Sequence, residues 1–296
     1  MKLTQVKGRT WVAEGLELIP FYRLEDGRCI LLDSGYSHEG DELEQSLLDA
    51  GLTPAAILGS HAHPDHAGNH ARFQSKYSLP VALSAAEAGM CNHILSIRCY
   101  TGVGTPNTTR REMGAIPLTT DIMLPNRDGS VQLLGVEFRY VFTPGHSPGH
   151  ICIITPDNVC YVGDVLFSPE QLHAKLPYCL DLAGDLLAKE RLRSLDCDLY
   201  IAAHRGIFAD IGSVVDKNIS LMRQRAGQIL SVVDGVLPFS EIHRRACHLL
   251  DIHPKTVRRA MGLEASLRFF VDYLVDQGQL EYCVQDEVIC YKPANT

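Results

Sequence analysis

The chain has 296 residues, 46% hydrophobic and 21% charged, the balance of a globular protein long enough to bury a core without covalent staples. That length suits one large domain or a domain with an appendage. A formal net charge of −8 excludes any global attraction to nucleic acid or to an anionic membrane surface.

The first residues, MKLTQVKGRTWVAEG, carry charged and polar groups where the apolar segment of a secretion signal belongs. No apolar run approaches the ~18 residues of a membrane span. The expectation is a cytoplasmic protein in a reducing compartment, with no membrane partner. LELIPFYRL and RCILLD read as strands separated by the turn residues Glu25-Asp26-Gly27. Residues 39–50 read as a helix with Leu43 and Leu47 on one face and Gly51 at its C-terminal cap. PAAILGS is a short apolar strand ending at a histidine cluster. Residues 98–129 show weak periodicity and many breakers, so an irregular insertion is expected, forming one wall of a pocket.

The strand grammar then returns. VEFRYVFTPGH runs to His146, HICIITPDNVCYVGD is a hairpin running to Asp164, and CDLYIAAH runs to His204. A helix over 181–195 lies between the last two, with Ala188, Leu192 and Leu195 at helical spacing. Every unusual residue therefore follows a strand end, where loops on a rigid scaffold gather functional groups. Beyond about residue 211, Val215, Ile219, Met222, Ala226, Ile229 and Val233 mark a long helix. Three shorter helices follow, in PFSEIHRRACHLL, HPKTVRRAMGL and EASLRFFVDYLVDQGQ, and then the hairpin LEYCVQDEVICYK. Residues 213–296 hold ten Lys/Arg and ten Asp/Glu, a net charge of zero. There is no internal repeat and no low-complexity segment.

The ten cysteines include no CxxC pair and sit mostly in apolar contexts, so they read as small buried hydrophobes. Cys283 and Cys290 are placed to face each other across a hairpin centred on Asp286-Glu287. A reducing compartment argues against a disulfide there.

The chemistry centres on residues 60–69, SHAHPDHAGN. His61 and His63, two apart, can point the same way off an extended turn, while Asp65 and His66 turn toward a second point. One stretch can thus serve two metal sites, and two metals ~3.5–4 Å apart can share a hydroxide. His146, Asp164 and His204 are the remaining candidate ligands, each with glycine close by to allow tight turns. Five histidines and two aspartates suffice for two sites with one carboxylate bridging.

The pattern H-x-H-x-D-H, then a distant His, then Asp, then His, resembles the metallo-β-lactamase superfamily. All seven positions are present in order, and LLDSG (residues 31–35) matches the strand and turn that usually precede the motif. The resemblance implies an α+β fold, an αββα sandwich over residues 1–210. His61, His63 and His146 would hold one divalent ion, and Asp65, His66 and His204 a second, with Asp164 bridging. Residues 211–296 resemble the small winged-helix-like extension of a branch that includes glyoxalase-II-like proteins and a metal-dependent endoribonuclease. TPGHSPGHICI and GDVLFS are similar to the glyoxalase II and thioesterase-like branch.

The expected activity is hydrolysis of a small ester, thioester or lactone by a metal-bridging hydroxide. Asp65 would double as the catalytic proton carrier. Zinc is the default metal, and the same ligands accept iron or manganese. RNA phosphodiester cleavage is the alternative that the tail suggests and its zero charge weakens. An iron-dependent sulfur dioxygenase and a metal-bearing sensor are further alternatives. The expected partner is a small molecule. A homodimer stays open, since winged helices pack, dimerise or shape pockets. His150 is expected to support a ligand or to pack. His70, His93, His173, His243, His248 and His253 lack a partner pattern and are expected to be structural. Tyr178, Arg205 and Arg110-Arg111 are expected in packing or on solvated surface.

Overall fold

Two-residue alternation decides the layers. In the computed structural model, which describes residues 1–102, 104–168, 171–173 and 175–294, strand β4 (Arg28–Leu31) turns Ile30 toward one core and Cys29 and Leu31 toward another. Likewise β10 (Ile151–Ile154) turns Ile151 and Ile153 inward and Cys152 and Ile154 outward. Strands apolar on both faces must be covered on both faces, so two sheets stack and helices close each outer side.

The first sheet has seven strands in chain order: β1 (Lys2–Lys7), β2 (Thr10–Glu14), β3 (Leu18–Arg23), β4, β5 (Thr53–Leu58), β6 (Val81–Ser84) and β7 (Ile122–Leu124). It is antiparallel through β4 and parallel from β4 to β7. The second contains β8 (Gly129–Leu133), β9 (Val136–Phe142), β10, β11 (Val159–Gly163), β12 (Leu199–Ala202) and β13 (Gly206–Phe208), with β11 and β12 parallel and the other pairs antiparallel. The core between them includes Tyr22, Leu58, Phe138, Ile153 and Tyr161, all buried.

Helices α1 (Gly40–Asp49), α2 (Pro64–Ala67), α3 (His70–Tyr77), α4 (Ala85–Cys91), α5 (Ile94–Thr101) and α6 (Pro106–Met113) belong to the first half. Leu43, Leu47 and Phe73 pack on the outer face of the first sheet. Helices α7 (Leu182–Leu192), α8 (Gly212–Leu230), α9 (Phe239–Leu249) and α10 (Val257–Asp276) share one core with the outer face of the second sheet. Strands β14 (Leu237–Pro238), β15 (Leu280–Gln285) and β16 (Val288–Pro293) form a third small sheet. The predicted sandwich is therefore observed. No helix among the described residues is long and apolar enough to cross a membrane.

Three local expectations change. Residues 98–129 are only partly irregular: they hold the end of α5, all of α6 and β7. Capping, not periodicity, organises them. Gly102 stops α5 at φ +65°, and Thr105 starts α6 by accepting from the Thr108 amide, with Pro106 in the first turn. Next, HPKTVRRAMGL and EASLRFFVDYLVDQGQ form one helix, α10, rather than two. Gly262 inside it costs about 1 kcal/mol relative to alanine. The Thr256 cap and the buried stripe Leu267, Phe270, Val271 and Leu274 outweigh that. Finally, the N-terminal hairpin β1–β2 adds two strands to the first sheet ahead of the first strand read from the pattern. Residues 295 and 296, at the end of the 211–296 segment, lie outside the described residues. Cys283 and Cys290 are register partners about a turn at Asp286-Glu287, whose φ values are +50° and +65°, and both thiols are free.

Candidate metal centre

Four strand ends converge at one edge of the sandwich. β5 leads into His61 and His63, β9 into His146, β11 into Asp164 and β12 into His204. Pro64 begins α2, a helix only four residues long capped by extended His63, which swings Asp65 and His66 away from the extended pair.

The seven residues fall into two groups that share Asp164: His61, His63, His146 and Asp164, and Asp65, His66, Asp164 and His204. Within each group the ligand atoms lie within 4.8 Å of one another. In the first, His63 Nδ1 is 2.9 Å from Nε2 of both His61 and His146. Oδ2 of Asp164 lies 3.2 Å from His146 Nε2 and 4.0 Å from His61 Nε2. In the second, His66 Nε2 is 3.2 Å from Asp164 Oδ1, and His204 Nε2 is 3.3 Å from Asp164 Oδ2 and 3.7 Å from Asp65 Oδ2.

These atoms fit cations better than hydrogen bonds. One imidazole nitrogen carries one proton or one lone pair, so His63 Nδ1 cannot bond both neighbours as a donor. A tetrahedral ion bound at ~2.0–2.1 Å would set such nitrogens ~3.3 Å apart, close to the observed spacing. In the second group, buried His66 Nε2 and Asp164 Oδ1 lie 3.2 Å apart and make no well-aligned hydrogen bond among the described residues. A divalent cation satisfies both.

Protonation follows position. Burial, then the neighbouring imidazoles, hold His61 and His63 well below the usual histidine range, so both offer lone pairs. Against burial, Asp164 and Asp65 raise His66 well above that range. Against burial, Asp164 and then Glu17 push His204 up to about 10. The same imidazolium groups hold the Asp164 carboxyl well below its ordinary value, again against burial. In the metal-free protein, then, protons stand where the second cation would bind.

Groups behind the ligands aim them. Asp33, buried and at φ +73°, accepts from the Ser60 amide at 2.7 Å, the Ser60 hydroxyl at 2.5 Å, His66 Nδ1 at 2.8 Å and the Tyr161 hydroxyl at 2.8 Å. Since the Ser60 hydroxyl donates to Asp33, it accepts from His61 Nδ1 at 3.0 Å. That leaves His61 Nε2 free to ligate. Burial opposes ionisation of Asp33, and the His66 bond overcomes it, so its carboxyl is lowered. Glu17 faces Nδ1 of His204. Glu87 is buried and accepts from the Ala62 amide, the Ser147 hydroxyl and the Gly149 amide, tying the His61–His63 turn to the His146 turn. Asp33 has one sequence signal, an acid inside the apolar run ILLDSG. Glu87 has none.

His150 stands outside both groups. Its Nε2 accepts the Asp164 amide at 3.2 Å and its Nδ1 lies 2.9 Å from the Thr143 hydroxyl, so it holds Asp164 in place. Burial, then His146, lowers it to about 3. His70 bonds Ser34 through Nδ1, and exposed His253 pairs with Asp251. Arg205 is exposed at φ +64°. Tyr178, in contrast, reaches the site, its ring 5.4 Å from that of His63 and 5.6 Å from that of His146.

A profile of the metallo-beta-lactamase superfamily matches residues 21–204. Among curated proteins, the chain is 32% identical over 148 residues to the "Probable metallo-hydrolase YqgX" of Bacillus subtilis, covering 50% of this chain and 65% of that protein. It is 27% identical over 143 residues to the hydroxyacylglutathione hydrolase of Xanthomonas axonopodis, covering 48% and 44%. The chain thus spans less than two thirds of these relatives' length. Among solved structures, a metallo-beta-lactamase family protein from Thermus thermophilus superposes with TM-score 0.70 at 20% identity, over 94% of this chain and 93% of that one. A beta-lactamase domain protein from Burkholderia ambifaria gives 0.72 at 17% identity, over 99% and 94%. Both likenesses are of fold.

Proposed function

This chain belongs to the metallo-beta-lactamase superfamily, and from that premise we propose that it is a hydrolase working with two divalent ions, zinc by default, on a small ester, thioester or lactone. The observation that carries the reading is the place of Asp164, whose Oδ2 lies 3.2 Å from His146 of one ligand group and 3.3 Å from His204 of the other. One carboxylate shared by two imidazole-rich groups suits a paired centre. His61, His63 and His146 would hold one ion, and Asp65, His66 and His204 the other, with Asp164 between them. When bound, such ions supply Lewis acidity and make water acidic enough to ionise near neutral pH.

The chain's own groups do the rest. Asp33 and Ser60 hold His61 in one tautomer and Asp33 holds His66. Asp65 is less buried than Asp164, its side chain 16% exposed against 6%, so it is the carboxylate placed to take a proton from the reacting side and pass it to a leaving group. Relatives named hydroxyacylglutathione hydrolases support an acyl substrate. The equal numbers of acidic and basic residues in the C-terminal segment argue against a nucleic-acid partner. A small-molecule partner and a cytoplasmic location are parts of the same proposal.

The test is elemental analysis of the purified protein, followed by ester, thioester, lactone and phosphodiester substrates. Two metals per chain with turnover of an acyl substrate is expected. One iron per chain with oxygen consumption, or turnover of the phosphodiester alone, would replace the reading.

A further inference from the structure

Three rings from distant parts of the chain meet beside the first ligand group. Tyr100 comes from α5, Tyr178 from the segment before α7, and Phe269 from α10. The Tyr178 ring stands edge-on to His63 and His146, with interplanar angles of 73° and 74°. Phe269 packs against it edge to face, centroids 5.7 Å apart at 88°. The Tyr100 hydroxyl lies 3.0 Å from His63 Nε2, and the Tyr178 hydroxyl donates to it at 3.4 Å. His63 Nδ1 points into the ligand group, so its Nε2 carries the proton and donates to Tyr100.

All three rings are half-buried. They are therefore neither core nor scattered surface: they stand beside the histidines and are partly open to solvent. The surrounding charges are turned away. Lys175 pairs with Asp251 at 2.8 Å, Arg258 pairs with Glu112 at 3.1 Å, and Arg268 lies over the Phe239 ring at 4.0 Å. The first two pairs also fasten the start of α10, and the turn before it, to the walls around the site. Among the described residues no cation–π contact involves Tyr100, Tyr178 or Phe269. The buried Glu87 carboxyl acts on both tyrosines, and a wall of aromatic faces and phenol hydroxyls beside an acid favours a flat uncharged group over a phosphate or a carboxylate.

We infer that Tyr100, Tyr178 and Phe269 form an acyl-binding wall that selects substrates with a planar apolar acyl group, and that α10 is thereby a specificity element of the site. The inference rests on the acyl-hydrolase reading and extends it to a substrate class. The wall acts by binding the acyl group, not by holding metal.

Two measurements separate the inference from that reading. The first is titration of the metal-loaded full-length protein with phenylacetate and with acetate, which share a carboxylate and differ in the ring. The wild type should prefer phenylacetate by roughly tenfold or more, the scale of one good aromatic contact. Phe269→Ala and Tyr178→Leu should each remove most of that preference by weakening phenylacetate binding, with acetate affinity and metal content measured alongside. Equal affinity in the wild type, no binding of either ion, or a preference that survives both substitutions overturns the inference. The second is hydrolysis of 4-nitrophenyl acetate and 4-nitrophenyl benzoate, which have the same leaving group. Failure to cleave either counts against the hydrolase reading alone. Cleavage of both with equal kcat/KM in the wild type counts against the wall alone.

Discussion

Nδ1 of His66 lies 2.8 Å from Oδ2 of Asp33, a carboxylate whose same oxygen accepts the Ser60 hydroxyl that in turn supports His61. One buried acid thus aims an imidazole in each of the two ligand groups. Supporting carboxylates of this kind typically change metal affinity ~10–100-fold. Asp33→Ala should therefore weaken binding of both ions together by about that factor. Chelator competition on the folded variant checks it. Loss confined to one ion would mean that the Ser60 path to His61 carries nothing.

Asp164 makes a different prediction from any single histidine. Asp164→Ala removes the one group common to both ligand sets, so both ions and activity should be lost. His204→Ala should leave the first site loaded and lower occupancy toward one ion per chain. Metal-to-protein ratios after gel filtration decide between shared and independent sites.

The metal-free protein should respond to pH through His204, which is raised to about 10 beside Asp164 and Glu17. A histidine with a folded value above its unfolded value of about 6.5 contributes stability that is complete below 6.5. That contribution is lost as pH rises toward 10. The apo protein should therefore lose stability across that window. Affinity for the second ion should rise over the same window, because its binding displaces protons from His66 and His204. Thermal melts of apo and loaded protein at matched pH values test both signs.

Gly145 turns the chain into His146 at φ +141°, and a Cβ there would sit 2.2 Å from the Asp185 amide at the start of α7. Gly145→Ala forces apart the helix and the loop that carries a ligand, with backbone strain of ~1–3 kcal/mol before any clash. A fall in Tm of roughly 5–10 °C is expected. Gly227→Ala is the control. It is an exposed position within α8 with nothing within 4 Å of the added carbon, and should gain about 0.5–1 kcal/mol.

Glu87 joins two metal-bearing turns through three accepted hydrogen bonds. Glu87→Ala leaves the Ala62 and Gly149 amides and the Ser147 hydroxyl buried without that partner. The cost should be about 2–5 kcal/mol in denaturant unfolding, with weaker binding at the His61, His63 and His146 group. Unchanged unfolding would show that water replaces the carboxylate.

The seven candidate ligands and most strands are legible in the sequence because their signals are local. A two-residue spacing decides which way His61 and His63 point, and short apolar runs bounded by turn residues mark the strands, while the core that Ile30 or Ile153 faces is decided by packing. The α5–α6 segment escapes a reading by periodicity because caps at Gly102 and Thr105, not an apolar stripe, define it. The continuity of α10 escapes it because Gly262 reads as a break, while the burial of Phe270 and Leu274 that outweighs it is a tertiary fact.

By itself, the sequence determined which groups can bind metal and that each follows a strand, since spacing and local pattern are properties of the chain; the sandwich entered only as what the family resemblance implies. Only the tertiary structure decided that Asp33 and Glu87 aim and tie the ligands, and that Phe269 of α10 reaches Tyr178 beside the histidines. Such relations join residues far apart in the chain, Asp33 and Tyr161 by 128 positions. They depend on how separate elements pack, which no local pattern encodes.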